Sequence, residues 1–269
     1  MISIIVSTHK PEFLKNLVNS IPDTIGVNYE VIPVANHNQF SLCNAYNQGL
    51  AKAKYDYLCF VHEDVIFKSI GWGAEIISVL NDNKDIGLIG VAGSKFKSSL
   101  PLGWHISILQ EMRRGCIFQG QNSYESVFDD FSPDKVSQQI EDVVCLDGVI
   151  LFTKKSVFKE CLFDEALLKG FHGYDIDFSL QVFFSGKRVV VDREIKIFHF
   201  SLGQFGKDKA KAEWRISRKW FGYLPMSTSD LNLSWFKIFK KEYEIYKWYL
   251  IPTIKRKIKK VFHRNLQNK

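Results

Sequence analysis

Three short apolar runs alternate with two segments of helical spacing before residue 65, and this order constrains the fold more than any other feature of the chain. Residues 2–7, ISIIVS, end at Thr8, His9, Lys10 and Pro11, after which FLKNLVNSI repeats its apolar residues at helical spacing. YEVIPVA follows and ends at Asn36; CNAYNQGLAKA then reads as a helix, and YDYLCFV as a strand ending at His62, Glu63 and Asp64. Strands joined through helices pair in parallel, because a tight hairpin reverses the chain. The βαβαβ order therefore predicts an α/β fold with a mostly parallel sheet flanked by helices, and ligands beyond the carboxyl ends of the strands.

The alternation continues with WGAEIISVLND, helical, and IGLIGVAG, apolar, to about residue 94. Lys95 to Ser137 is less regular and reads as loops or small hairpins over the site. VVCLDGVILFTKKSVF resembles a strand leading into a helix. FHGYDIDFSLQVFFSGKRVVVD reads as an acidic loop, a helix and a strand, and EIKIFHFS as a strand ending at His199. At 269 residues the chain has room for one large domain, expected over 1–205, and a helical basic and aromatic extension over 206–269.

Charge separates these two parts. The net charge is +7, yet the segment from Asn232 onward carries 11 Lys and Arg against two Glu, leaving the first 231 residues at −2. The tail, WFKIFKKEYEIYKWYLIPTIKRKIKKVF, interleaves aromatics with lysines as segments at an anionic membrane surface do, and Pro252 is expected to divide it into two helices. The competing reading is a helix packed on the domain with a solvated basic face. Nucleic acid is not expected, since no recognition motif accompanies the charge. Five cysteines without a CxxC pair fit a reducing compartment, and no apolar run reaches the roughly 18 residues of a spanning helix. A cytoplasmic protein, peripheral on the inner face of the membrane, is the expectation.

Three clusters could carry chemistry. FVHEDV places adjacent carboxylates immediately after a strand, where a divalent cation could bridge them to a diphosphate; a solvated acidic turn is the plainer reading. Asp175 and Asp177 in GYDIDFSL straddle a helix start, where carboxylates favour the helix terminus electrostatically and where one could also act as a general base. His199 lies about 135 residues after Asp64; a lone histidine is more often structural, though a neutral imidazole suits a metal that already holds carboxylates.

In the same order, IIVSTHKPEFLKNLVNSI, SLCNAYNQGLAKAKYDYLCFVHEDV, CLDGVILFTKKSVF, GFHGYDIDFSLQVFFSGKRVVVD and the later histidine resemble the family 2-like bacterial glycosyltransferases of the GT-A fold. The subgroup is the one whose aspartate motif reads His-x-Asp-Val, and the likeness spans residues 2 to about 205. The resemblance implies transfer of a sugar from a UDP-, GDP-, CDP- or dTDP-sugar to a saccharide or lipid-linked saccharide acceptor, with inversion, in surface polysaccharide or glycoconjugate synthesis. It implies that Thr8, His9, Glu12, Asn36, Asn44, Asn47, His62 and Glu63 lie on the donor side, with Asn36 where the family often has a base-reading Asp and His62 in place of the motif's first Asp. Asp64 and His199 would hold Mn²⁺ or Mg²⁺. Asp175 matches the catalytic base, with Tyr174 in place of the Glu that usually precedes it, while Trp104, Asp147, His172 and Asp177 would line the acceptor side. Two rivals remain: a nucleotidyltransferase, whose glycine-rich signature VSTHKPEF lacks, and a non-catalytic sugar-nucleotide-binding or scaffolding protein, favoured by the histidine at 62.

Overall fold

Ile2, Ile4, Ile5 and Val6 are all fully buried along β1 (Ile2–Thr8), as a strand covered on both faces requires. In this computed structural model, which describes residues 1–120, 138–200, 206–231 and 233–248 together with the backbone of 127–130, helices α1 (Pro11–Ser20) and α2 (Leu42–Lys52) carry the crossovers. They lead to β2 (Tyr29–Ala35) and β3 (Tyr57–His62), and β1 pairs in parallel with both. Pro11 starts α1 where its missing N–H costs nothing, and the Ser41 hydroxyl caps α2 by accepting from the Asn44 N–H.

The chain continues through β4 (Val65–Phe67), α3 (Trp72–Asp82), β5 (Ile86–Gly90), β6 (Ala92–Ser94), β7 (Phe96–Lys97), β8 (Arg113–Gln119) and β9 (Val127–Asp130). It then forms β10 (Ile140–Val143), β11 (Cys145–Leu146), β12 (Ile150–Lys154), α4 (Tyr174–Phe184), β13 (Arg188–Asp192), β14 (Ile197–His199), α5 (Lys207–Lys219) and β15 (Met226–Ser227). A last helix, α6, covers 235–248. The helix expected after β12 is a short 3₁₀ turn at Lys155–Lys159.

The main sheet runs β10-β13-β5-β12-β3-β1-β2 and is mixed. Its parallel half is the one the alternation predicts; β12 lies antiparallel between β3 and β5, with Ile150 opposite Val61 and Lys154 opposite Tyr57. Running backwards, β12 starts where β3 ends, and so it delivers Asp147 and Gly148 to the same edge as His62. A second sheet, β11-β6-β8-β14-β4, crosses this edge. Within it, β4 and β14 pair antiparallel with Val65 opposite His199, and the Phe200 N–H donates to the Asp64 carbonyl at 2.9 Å.

The core beneath the site is aromatic. Phe163 stacks on Phe178 at 4.6 Å and meets Phe60 edge-on at 4.9 Å, while Tyr46 contacts Phe60 and turns its edge to Tyr174. Such pairs contribute about 0.5–1.5 kcal/mol each beyond burial, and here they give α4 a rigid bed. Helix α5 belongs to this main core, contributing Ala212, Ile216 and, beyond its end, Trp220 and Leu224, although 206 onward was expected in the extension.

Helix α6 closes a second apolar cluster, with Ile238 and Ile245 against Phe96, Ile106, Leu109 and Met112. Its Glu242 accepts from the Ser98 hydroxyl and the Ser99 N–H, and its Lys241 pairs with Glu111 at 2.7 Å. Its other face leaves Trp235, Phe236 and Phe239 exposed, at 68%, 78% and 62%. Helix α6 is thus packed on the domain along one side and leaves aromatics exposed along another. Pro252 and the stretch from 249 to 269 lie outside the described residues. No helix among the described residues is long and apolar enough to cross a membrane.

Candidate active site

The turn between β3 and β4 consists of Glu63 and Asp64, and the two carboxylates point to different tasks. Glu63 is buried and gathers the loop after β1: it accepts from the Thr8 hydroxyl at 2.6 Å and from the His9 and Lys10 N–H groups at 3.0 Å, and it contacts His9 Nδ1 at 2.7 Å. It is therefore a buttress for the β1 loop, and Thr8 is committed to it. Asp64 faces the opposite way, toward His199.

Ligand-bearing atoms of His62, Asp64 and His199 lie within 4.8 Å of one another. The ladder between β4 and β14 explains how a histidine so distant in sequence reaches Asp64. His199 Nε2 stands 3.4 Å from Asp64 Oδ1 without hydrogen-bond alignment, and neither nitrogen of this buried ring has a hydrogen-bond partner among the described residues. Buried polar atoms are rarely left in that state. A cation fits the donor set, two imidazoles and one carboxylate. Burial raises the Asp64 carboxyl, but the His199 and His62 imidazoles outweigh it and hold Asp64 below its ordinary value. Burial also lowers His62, which keeps its imidazole neutral.

Tyr174 selects which nitrogen His62 can offer. Its phenol lies 2.6 Å from the Gly148 carbonyl and 2.7 Å from His62 Nε2. A carbonyl only accepts, so the single phenolic hydrogen goes to Gly148 and the phenol oxygen must accept Nε2–H from His62. The Nδ1 lone pair of His62 is then left for a ligand. Gly148 is required here, because a Cβ at this position would lie 2.1 Å from the Tyr174 hydroxyl.

Across from these residues stands Asp175, whose carboxylate accepts from the Gly148 N–H at 3.1 Å. Burial, with the Asp147 charge adding to it, pushes Asp175 up to about 7. Asp147 accepts from Trp104 Nε1 at 2.9 Å and from the Val149 N–H at 2.8 Å, so the tryptophan is hinged onto the same edge. His172 is half-buried one turn before, lowered by burial first and by the Lys209 charge second.

Other expected site residues are placed differently. Asn36 is buried; it donates to the Phe40 carbonyl at 3.1 Å and accepts from the Gln39 N–H at 3.2 Å, closing the loop after β2. Asn44 and Asn47 turn to Glu165, and Asn47 also donates to the Phe163 carbonyl at 3.0 Å, so both tie α2 to the loop before α4. Glu12 is exposed at the first turn of α1. Asp177, expected on the acceptor side, is 1% exposed and accepts from Lys219 and Trp220 Nε1 at 2.9 Å and from Gln181 at 2.8 Å. Asp177→Ala is expected to cost about 3 kcal/mol in a denaturant melt, since it leaves a buried indole N–H and a lysine without their acceptor. Lys219, Trp220 and Glu165 went unnoticed in the sequence, because nothing local marks a side chain whose partner is a distant carboxylate.

Residues 3–220 match a family described as "Glycosyltransferase like family". The chain belongs to that family. This glycosyltransferase-like chain is 28% identical over 195 residues to the streptomycin biosynthesis protein StrF of Streptomyces griseus, a match covering 70% of the chain and 64% of StrF. Among solved structures it resembles GalNAc-T7, crystallised with UDP, GalNAc and Mn²⁺, with a TM-score of 0.56 at 14% identity. That match covers 93% of the chain and 58% of GalNAc-T7, and it shows the GT-A fold. The chain thus spans somewhat under two thirds of the length of each of these relatives.

Proposed function

We propose that the chain is a metal-dependent, inverting glycosyltransferase that moves a sugar from a nucleoside-diphosphate sugar to an acceptor hydroxyl. The observation that carries this reading is the pairing, at one sheet edge, of the His62, Asp64 and His199 cluster with a carboxylate raised to about 7. A divalent cation, Mn²⁺ or Mg²⁺, held by Asp64, His199 and Nδ1 of His62 would neutralise charge on the departing diphosphate. The β1 loop, braced by Glu63, and the exposed His9 and Glu12 face the nucleoside. Asp175 takes the proton from the acceptor hydroxyl as its oxygen bonds to the anomeric carbon and the bond from that carbon to the diphosphate oxygen breaks. One displacement inverts the configuration. Trp104, fixed by Asp147, offers a flat apolar face for a sugar ring.

The relationship to StrF and the bacterial resemblance support a role in assembling a glycoconjugate or surface polysaccharide. The exposed aromatics of α6 and the basic residues beyond it support a peripheral position on an anionic membrane, where a lipid-linked saccharide would be met. A thermal-shift screen of UDP, GDP, CDP and dTDP with and without Mn²⁺ tests the function. One diphosphate at 100 times its Kd should raise the Tm by roughly 5–10 °C, and only with metal. No shift with any of the four removes the donor reading and leaves a non-catalytic scaffold.

A further inference from the structure

The outer face of α5 takes no part in the chemistry above, yet it is basic and carries an exposed tryptophan. Lys207, Lys211, Trp214 and Arg218 recur at intervals of four, three and four residues, which aligns them in one stripe, and all four are exposed. Trp214 is 59% exposed; just past the helix end Phe221 is 85% and Tyr223 59% exposed. Beside the stripe, Lys169, His172, Asp208, Lys211 and Arg215 line a cavity of about 210 Å³. Lys211 pairs with Asp208 at 3.2 Å, while Lys169, Arg215 and Arg218 have no acidic partner among the described residues. Positive charge there exceeds negative charge, in a chain whose first 231 residues are net acidic.

The opposite face of α5 is locked to the site. A Cβ on Gly173, which adopts φ +87°, would meet Ile216 Cδ1 at 2.6 Å, and Lys219 with Trp220 clamps Asp177 of α4. The face of α5 behind the stripe is therefore packed on Gly173 and Asp177, each two positions along the chain from Asp175.

We propose that this face of α5 docks on an anionic lipid bilayer, with Trp214 and, just past the helix end, Phe221 at the headgroup level and the Lys211 and Arg215 cavity receiving a lipid phosphate. Charge complementarity selects this partner: cations spaced along a helix around an exposed tryptophan, with an exposed phenylalanine past its end, match a phosphate surface over an apolar interior. The inference rests on the glycosyltransferase reading only in its consequence, which is that Asp175 faces an acceptor delivered from the membrane. It adds a second contact to that of the tail, placed at the acceptor side.

The test uses the full chain with α6 and the tail intact. Binding to phosphatidylglycerol–phosphatidylcholine vesicles is compared for the wild type, Lys211→Glu/Arg215→Glu/Arg218→Glu and Trp214→Ser/Phe221→Ser. Every substituted side chain is exposed, and a thermal melt checks the fold. Each variant is expected to bind at least tenfold more weakly than the wild type to the mixed vesicles, and brominated acyl chains should quench the wild type more than Trp214→Phe. Wild-type binding by both variants would overturn the proposal, as would a loss seen only with a DNA oligonucleotide. The nucleotide and Mn²⁺ thermal shift is read in the same samples; its absence in the wild type counts against the donor chemistry alone.

Discussion

Asp175→Asn should lower kcat by about 10²–10⁴, the contribution of a positioned general base, while the Mn²⁺-dependent thermal shift with the nucleotide persists. The amide keeps the shape and can still accept from the Gly148 N–H, which the carboxylate does at 3.1 Å. It cannot take a proton. Wild-type activity should rise as the pH passes about 7, where Asp175 loses its own proton, and this limb should disappear in the variant. Stability should move the other way. The folded-state value lies above the roughly 3.9 of an unfolded aspartate, so the folded chain binds more protons between those two values and loses stability as pH rises from about 4 to about 7. Asparagine carries no such penalty, so the variant should melt higher than the wild type above pH 7, with the difference shrinking to nothing below about 4. Retained activity would remove Asp175 as the base.

The second large effect is at Asp64. Asp64→Asn preserves size and removes the charge between His62 and His199, and kcat/KM should fall by roughly 10²–10³, as when one stabilising group for developing charge is lost. The Mn²⁺-dependent shift should vanish, whereas nucleotide binding without metal should be unaltered. Tyr174→Phe is the more discriminating companion. It removes the acceptor that holds His62 in its Nε2–H form, so Mn²⁺ affinity, read from the free-ion signal in electron paramagnetic resonance, should weaken by about 10–100-fold. An unchanged affinity would mean that Tyr174 only packs. The aromatic bed of Tyr46 and Phe163 keeps the phenylalanine ring in place, which separates tautomer control from loss of fold.

Periodicity alone made the first half of the fold legible. Apolar runs interrupted by helical spacing admit little besides parallel strands joined by crossovers; β1 and β3 are buried on both faces as such strands are, and β2 pairs with β1 as the half-exposed edge strand. A strand-end acidic motif, the Asp175 helix start and the late histidine could also be read as candidates, since residue type and position along an element are local properties. Direction and pairing are not local. The antiparallel course of β12, which delivers Asp147 and Gly148 to the site, depends on which strands flank it. The same holds for each carboxylate's work. Glu63 and Asp64 are neighbours in sequence, yet one braces a loop while the other meets His199 across a ladder; Asp175 and Asp177 have one residue between them, yet only Asp177 is held by Lys219, Trp220 and Gln181, while Asp175 meets the Gly148 N–H. Sequence determined that carboxylates and imidazoles would stand at strand ends and a helix start. The tertiary structure decided which were already consumed by hydrogen bonds, because a donor brought from far along the chain satisfies a buried acceptor as fully as a ligand would.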